Sequence, residues 1–181
     1  TRVSAHDLKM LAEVEKKVRW LSSWTIHNAN HIRPKRDGIK VGGHQASCAS
    51  LSTLMTALYF NVLRPQDRVA VKPHASPVFH AINYMFGRQS REKLENFRAF
   101  GGAQSYPSRT KDGDVVDFST GSVGLGAAVT NFAALTQDYL RYKNMLPKGE
   151  KPGRMVALVG DAELDEGNIY EALLDTWKHD I

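Results

Sequence analysis

The sequence predicts an α/β protein built on a doubly wound parallel sheet with helices on both faces. Candidate strands alternate with amphipathic helices along the 181 residues, which is the pattern of parallel βαβ units. One candidate strand is an unbroken apolar run, as in strands that are covered on both faces. Only two strands are convincing, fewer than a complete sheet of this class has. The sheet is therefore expected to be incomplete at the C-terminus.

Helical spacing of apolar residues predicts six helices. The first runs from Ser4 to Ser23 and begins with a capping serine. Ser76 followed by Pro77 is typical of a helix start, and this helix is expected to close at Gly87. Ser90 opens a shorter helix that extends through Phe97. The other three helices are predicted over 50–62, 124–142 and 168–177.

The two predicted strands are Arg68 to Val71 and Met155 to Val159, and the second is expected to be fully buried. Segments 25–46 and 101–122 contain glycine, proline and polar residues without a period, so both are predicted to be irregular. A loop as long as the second is usually functional or disordered. Segment 147–153 is predicted to be a polar linker.

Composition excludes few classes of protein. The net charge of +5 comes from scattered lysines and arginines, which suit either a solvated surface or a general attraction to anions. No aromatic residues interleave with them, so no nucleic-acid partner is expected. The single cysteine, Cys48, excludes an internal disulfide and is expected to be buried. With no signal peptide and no membrane-spanning run, we expect a cytoplasmic protein.

The most informative stretch follows the second strand. Gly160 and Asp161 come directly after it, at the place where parallel sheets bind ligands. One carboxylate there could bind Mg²⁺ together with phosphate oxygens. The alternative is an ordinary helix N-cap. Glu163, Asp165 and Glu166 follow, and they fit either a solvated loop or a subunit contact.

Two histidines and a glycine-rich segment lie next to predicted helix starts. His44 and His74 could contact a diphosphate or move a proton, although a single loop histidine usually does neither. Gly121 opens a segment through Gly126 in which glycines permit close approach to a planar or anionic ligand. This segment lacks the order of the dinucleotide fingerprint.

Taken together, these segments resemble the N-terminal half of the transketolase superfamily of thiamine-diphosphate enzymes. The resemblance is strongest to the homodimeric decarboxylating component of bacterial pyruvate dehydrogenases. It rests on five matches that occur in family order: Gly42 to Ser47, His74 to Pro77, Ser105 to Pro107, Phe118 to Gly126 and Gly160 to Glu163.

The resemblance implies a role for each matching residue. Asp161 would be a protein ligand of Mg²⁺ or Ca²⁺. His44, His74 and Tyr106 would be catalytic, and Tyr106 stands where transketolases carry a histidine. Glu166 would join an acidic network at a dimer interface. The residues expected to bind thiamine diphosphate are Ser47, Gly121, Val123, Gly160, Ala162 and Glu163. The family motif usually has glycine where this chain has Ala162, whose methyl group could crowd the diphosphate.

The resemblance also implies a larger enzyme. The family's second metal ligand, its activating glutamate and its ring-stacking aromatic residue lie beyond Ile181. Residues 1–181 would therefore be the N-terminal part of the diphosphate-binding domain. We expect the chain to be inactive without the remaining part of the enzyme and a second subunit.

The activity implied is decarboxylation of a pyruvate-like 2-oxo acid, with transfer of the acyl unit to an acceptor such as a lipoyl protein. Transketolase activity on sugar phosphates is the alternative, for which Arg33, Lys35 and Arg36 could bind phosphate groups. A non-catalytic anion-binding domain is a third hypothesis.

Overall fold

The computed structural model describes residues 3–35, 37–112, 115–147 and 149–180. The chain divides into two compact units. Unit 1 contains Thr1–Leu63 and His74–Tyr106, and unit 2 contains Arg64–Pro73 and Pro107–Ile181. Each unit therefore combines segments that are separated in the sequence.

Unit 1 is helical. Its α-helices are α1 (Ala5–His27), α2 (Gln45–Ala57), α3 (Ser76–Met85) and α4 (Arg91–Glu95). Five-residue π-helical segments continue α1 over Asn28–Ile32 and α2 over Leu58–Val62, and a 3₁₀ turn at Pro73–Ala75 precedes α3. Ser4 starts α1 with a capping box, in which its Oγ accepts from Asp7 N at 3.1 Å and Asp7 accepts from Ser4 N at 3.2 Å.

The start of segment 25–46 is helical, so the prediction that all of it is irregular is wrong. The reason is tertiary. Asn28 donates its side-chain amide to Glu95 O at 2.8 Å, and Asn30 donates to Gly42 O at 2.9 Å. These bonds satisfy polar side chains that would otherwise favour a turn. α2 likewise begins at Gln45, five residues before the predicted start, without a side-chain cap from His44.

The core of unit 1 lies among α1, α2 and α3, which pack on one another. Eight of the ten residues of α3 are buried. The largest fully buried apolar side chains here are those of Phe97, Met55, Ile82, Leu94, Val18 and Val78. Cys48 is buried, as predicted. Buried His80 lies 3.0 Å from Gln104 O through Nε2 and 3.2 Å from the Gln89 amide through Nδ1.

Unit 2 contains the sheet. β1 (Arg68–Ala70) pairs in parallel with β2 (Met155–Ala157), with Val69 opposite Val156. The predicted parallel α/β arrangement is thus present, as a sheet of two strands in the described ranges. The expectation that 155–159 is fully buried is wrong, because these residues are half-buried. β2 has a strand neighbour on only one side in this part of the chain, which leaves it partly uncovered.

Two helices accompany the sheet. α5 (Leu125–Tyr142) packs on both strands and on α6 (Gly167–His179). A 3₁₀ turn at Asp161–Asp165 links β2 to α6. The described part of segment 101–122 has no helix or strand, as predicted. None of the helices in the described ranges is long and apolar enough to cross a bilayer.

Candidate functional site

The three predicted catalytic residues lie together in unit 1. The imidazole centroids of His44 and His74 are 4.2 Å apart. The ring of Tyr106 follows, with its centroid 6.2 Å from that of His74. His44 is exposed, while His74 and Tyr106 are half-buried. The cluster therefore presents two imidazoles that can exchange protons with a ligand.

Asn30 holds the turn that carries His44. Its side chain accepts a hydrogen bond from Gly42 N and donates one to Gly42 O, both at 2.9 Å. Gly42 and Gly43 have φ values of +87° and +127°, which places His44 at the start of α2. No local signal could have identified Asn30, because its partner is twelve residues away.

His74 is held between packed segments. Its carbonyl accepts a contact from buried Cys48 Sγ at 3.6 Å. Next to it, the Ser76 hydroxyl donates to Ser105 O at 2.5 Å and ties the start of α3 to the residue before Tyr106. These contacts fix the backbone at His74 and next to Tyr106.

Arg98 lies beside the same cluster, and the sequence alone did not single it out. Its guanidinium is 5.9 Å from the centroid of the Tyr106 ring and 5.3 Å from that of Phe97. Nη1 donates to Val41 O at 3.1 Å. Arg98 therefore places a positive charge against the tyrosine and supports the turn before Gly42.

Ser47, predicted to bind cofactor, has a buried hydroxyl with no hydrogen-bond partner in the described part of the chain. Leaving such a group unpaired costs about 1–3 kcal/mol. A ligand oxygen or a water that bonds this hydroxyl would recover that free energy. Thr56 Oγ1 and Arg98 Nε of unit 1 are likewise buried without a partner in the described ranges, and of the three only Ser47 was predicted to bind cofactor.

In unit 2, the predicted metal ligand lies at the carboxyl end of β2. Asp161 is exposed and makes no hydrogen bond or ion pair with another described residue. It is the first residue of the 3₁₀ turn, and α6 begins only at Gly167. The helix-cap alternative is therefore wrong, and the carboxylate is available for a cation.

The described residues supply only part of a metal site. No group of three or more histidine, cysteine or acidic side chains is placed to hold an ion in the described ranges. A Mg²⁺ ion at Asp161 would need its remaining oxygen ligands from a diphosphate, from water or from another part of the enzyme.

Glu163 joins two of the segments that the sequence predicted to bind cofactor. Its side chain is buried, with Oε2 accepting from Gly160 N at 2.6 Å and Oε1 accepting from Gly124 N at 3.1 Å. Both oxygens already accept protein hydrogen bonds, so this carboxylate organises the backbone of segments 121–124 and 160–163. The sequence had predicted direct contact between Glu163 and a diphosphate.

The glycine-rich segment is anchored at both ends. Buried Thr120 donates its hydroxyl to Val71 O, just after β1, at 2.5 Å. Gly124 has φ +80°, and a Cβ there would lie 2.9 Å from Glu166 Cβ, so a larger residue would be strained and crowded. Between these anchors, Gly121 is exposed with open space beside it, and Val123 is half-buried.

The last two predicted residues of unit 2 are exposed. Ala162 follows Asp161 in the 3₁₀ turn, and Glu166 precedes α6. The Glu166 side chain packs near Gly124. Their roles in cofactor binding and at a dimer interface stay predictions.

Comparison with curated proteins finds several bacterial relatives that are each named pyruvate dehydrogenase E1 component. The protein from Mycolicibacterium smegmatis is 31% identical over 160 residues, which is 82% of this chain. That from Pseudomonas aeruginosa is 33% identical over 170 residues, and that from Escherichia coli K12 is 27% identical over 169, each 88% of the chain. The chain spans 16% of the first relative's length and 18% of the other two. No protein-family model matches it.

Proposed function

Because the chain belongs to the family of the pyruvate dehydrogenase E1 components, we propose that it is part of an enzyme that decarboxylates a 2-oxo acid such as pyruvate. The reaction would use thiamine diphosphate and Mg²⁺, or Ca²⁺, and would pass the acyl unit to a lipoyl acceptor. The carrying observation is that Glu163 joins the two predicted cofactor segments, 121–124 and 160–163.

The proposal assigns the chain to the N-terminal part of the diphosphate-binding domain. In the complete protein, β1 and β2 would belong to a larger doubly wound parallel sheet. The remaining part of the enzyme and a second subunit would complete the active site, in a cytoplasmic dimer to which Glu166 contributes. Half-buried β2 supports this reading, since a finished parallel sheet is covered on both faces.

The residues present fit the proposed cofactor. In unit 2, Asp161 would provide one ligand to the divalent cation, and the backbone at Gly160 and Ala162 would face the diphosphate. Gly121 and Val123 would present backbone to the ring system. In unit 1, the unpaired hydroxyl of Ser47 suits a ligand oxygen. When bound, thiamine diphosphate supplies the electron sink for decarboxylation.

The ring cluster of unit 1 would move protons and orient the substrate. His44 is exposed and can accept or donate a proton at the reacting group, and His74 lies against it to share that proton. Tyr106 would donate its hydroxyl to an oxygen of the substrate, with its ring held beside Arg98.

The structure weakens the support for a sugar-phosphate substrate. Arg33 donates to Glu95 O and Phe97 O, and Lys35 donates to Asn30 O at 2.8 Å. Both residues serve the fold of unit 1, and Arg36 lies outside the described residues. Tyr106 also favours a 2-oxo acid, because transketolases, which act on sugar phosphates, carry a histidine at this position.

Calorimetric titration of the complete enzyme with thiamine diphosphate and Mg²⁺ tests the proposal. Asp161→Ala should abolish Mg²⁺-dependent binding, because it removes a carboxylate ligand. Asp165→Ala, which removes an exposed carboxylate from the same turn, is the matched control and should bind normally. Unchanged binding by Asp161→Ala would exclude Asp161 as a ligand. If the enzyme turns over ketose phosphates and shows no pyruvate-dependent reduction of ferricyanide, the proposal that its substrate is a 2-oxo acid is wrong.

A further inference from the structure

Lys72 lies two residues beyond the carboxyl end of β1, and its side chain lies against Gly160, three residues beyond β2. A Cβ at Gly160 would be 3.0 Å from Lys72 Nζ, 3.1 Å from Cε and 3.4 Å from Cδ. The lysine side chain therefore occupies the space that the glycine leaves free. This brings an ammonium group next to the residue that precedes Asp161.

The ammonium group has no partner among the residues that the structure describes. Lys72 is half-buried and makes no hydrogen bond or ion pair with another residue in the described ranges. By contrast, Lys35 donates to a carbonyl and Arg154 pairs with Asp67. An ammonium group that no described residue pairs is available to bind an anion.

The position favours a phosphate oxygen as that anion. The carboxyl ends of parallel strands are where open α/β sheets bind ligands. Lysine binds phosphate as a compact point charge with three donors. Resting on the proposed function, we propose that Lys72 binds an oxygen of the cofactor diphosphate and shares the neutralisation of its charge with the divalent cation at Asp161.

The assignment explains why glycine stands at 160. A methyl group there would displace the end of the lysine side chain, which is flexible and can move at small cost to the fold. Gly160→Ala should therefore weaken diphosphate binding in the same direction as removal of the lysine charge.

The test compares thiamine diphosphate with thiamine in the complete enzyme by calorimetry, with Mg²⁺ and with EDTA. Lys72→Gln should weaken thiamine diphosphate binding about tenfold, the value of one charge-assisted hydrogen bond, and leave thiamine binding within about twofold. The residual affinity in EDTA should be lost in the variant. Lys72→Arg should restore most of the difference, and Lys151→Gln, which changes an exposed lysine of the same unit, should match the wild type.

The outcomes separate this inference from the proposed function. If the wild type binds thiamine diphosphate and Lys72→Gln binds it equally well, the role of Lys72 is refuted and the proposed function stands. If the variant binds thiamine and thiamine diphosphate more weakly by the same factor, Lys72 does not bind the diphosphate. If the wild type binds neither, both proposals fail.

Discussion

Units 1 and 2 hold their candidate site residues by different means. In unit 1, apolar packing dominates. α3 buries eight of its ten residues, and five of these are apolar: Pro77, Val78, Phe79, Ala81 and Ile82. In unit 2, α5 is longer, at 18 residues, yet its buried residues are the polar Thr130 and Asn131. The strand ends there are connected instead by hydrogen bonds that Glu163 and Asp67 accept and that Thr120 donates.

The difference shows how each site can fail. Removing atoms from a packed core lowers the free energy of unfolding by leaving a cavity. In a polar network, the free energy of unfolding falls when one buried group is left without its hydrogen-bond partner. Both units expose large apolar side chains. On α5 and α6 of unit 2 they include Phe132, Tyr139, Tyr142, Tyr170, Leu173, Leu174 and Trp177.

The largest effect is expected in the core of unit 1. Phe97 is fully buried, so Phe97→Ala should lower the free energy of unfolding by about 3–5 kcal/mol through lost burial and a cavity. Phe100→Ala is the matched control, because that ring is fully exposed, and it should change stability by less than about 0.5 kcal/mol. Urea denaturation of the chain measures both. Similar losses would show that unit 1 does not depend on its core.

A smaller effect is expected from the buried carboxylate of unit 2. Asp67 accepts hydrogen bonds from Arg154 N at 2.8 Å, from its Nε at 3.0 Å and from its Nη2 at 2.5 Å. Asp67→Asn should destabilise the chain by about 2 kcal/mol, a low value for a buried pair because Arg154 is partly exposed. Asp138→Asn, in an exposed ion pair of α5, should cost less than about 0.5 kcal/mol.

The same pair makes stability depend on pH. The Arg154 guanidinium holds the pKa of Asp67 well below its usual range. In the unfolded chain, the carboxyl of Asp67 has a pKa of about 3.9. The stabilisation by its pair with Arg154 is therefore present above that pH and is lost as the pH falls below it. The difference in unfolding free energy between wild type and Asp67→Asn should therefore shrink in acid. A constant difference from pH 7 to pH 2 would contradict this explanation.

The smallest effect concerns the anchor of the glycine-rich segment. Thr120→Val keeps the shape of the side chain but leaves Val71 O without the Thr120 hydroxyl, which should cost about 1 kcal/mol. Thr130→Val should cost less, because its hydroxyl bonds only to carbonyls of its own helix. Hydrogen exchange should be faster at 121–124 in the first variant alone. Unchanged exchange would show that Thr120 does not hold the segment.

Local signals in the sequence predicted much of the secondary structure. The caps at Ser4 and Ser90 begin α1 and α4 as expected, and both strands lie within their predicted segments. The position of Asp161 after a strand was also predicted. The π-helical segment after α1 was not, because it depends on the bond from Asn28 to Glu95 O, 67 residues away.

The amino-acid sequence by itself determined where most helices and strands begin, since a cap or an apolar period depends on neighbours a few residues away. Only the tertiary structure decided which polar side chains are paired within the protein and which remain available to bind a ligand. Asp67 meets Arg154 across 87 residues and Glu163 meets Gly124 across 39, while Asp161 and Lys72 have no protein partner in the described ranges. Such pairs form only when chain closure brings them together and packing excludes water, which no local pattern encodes.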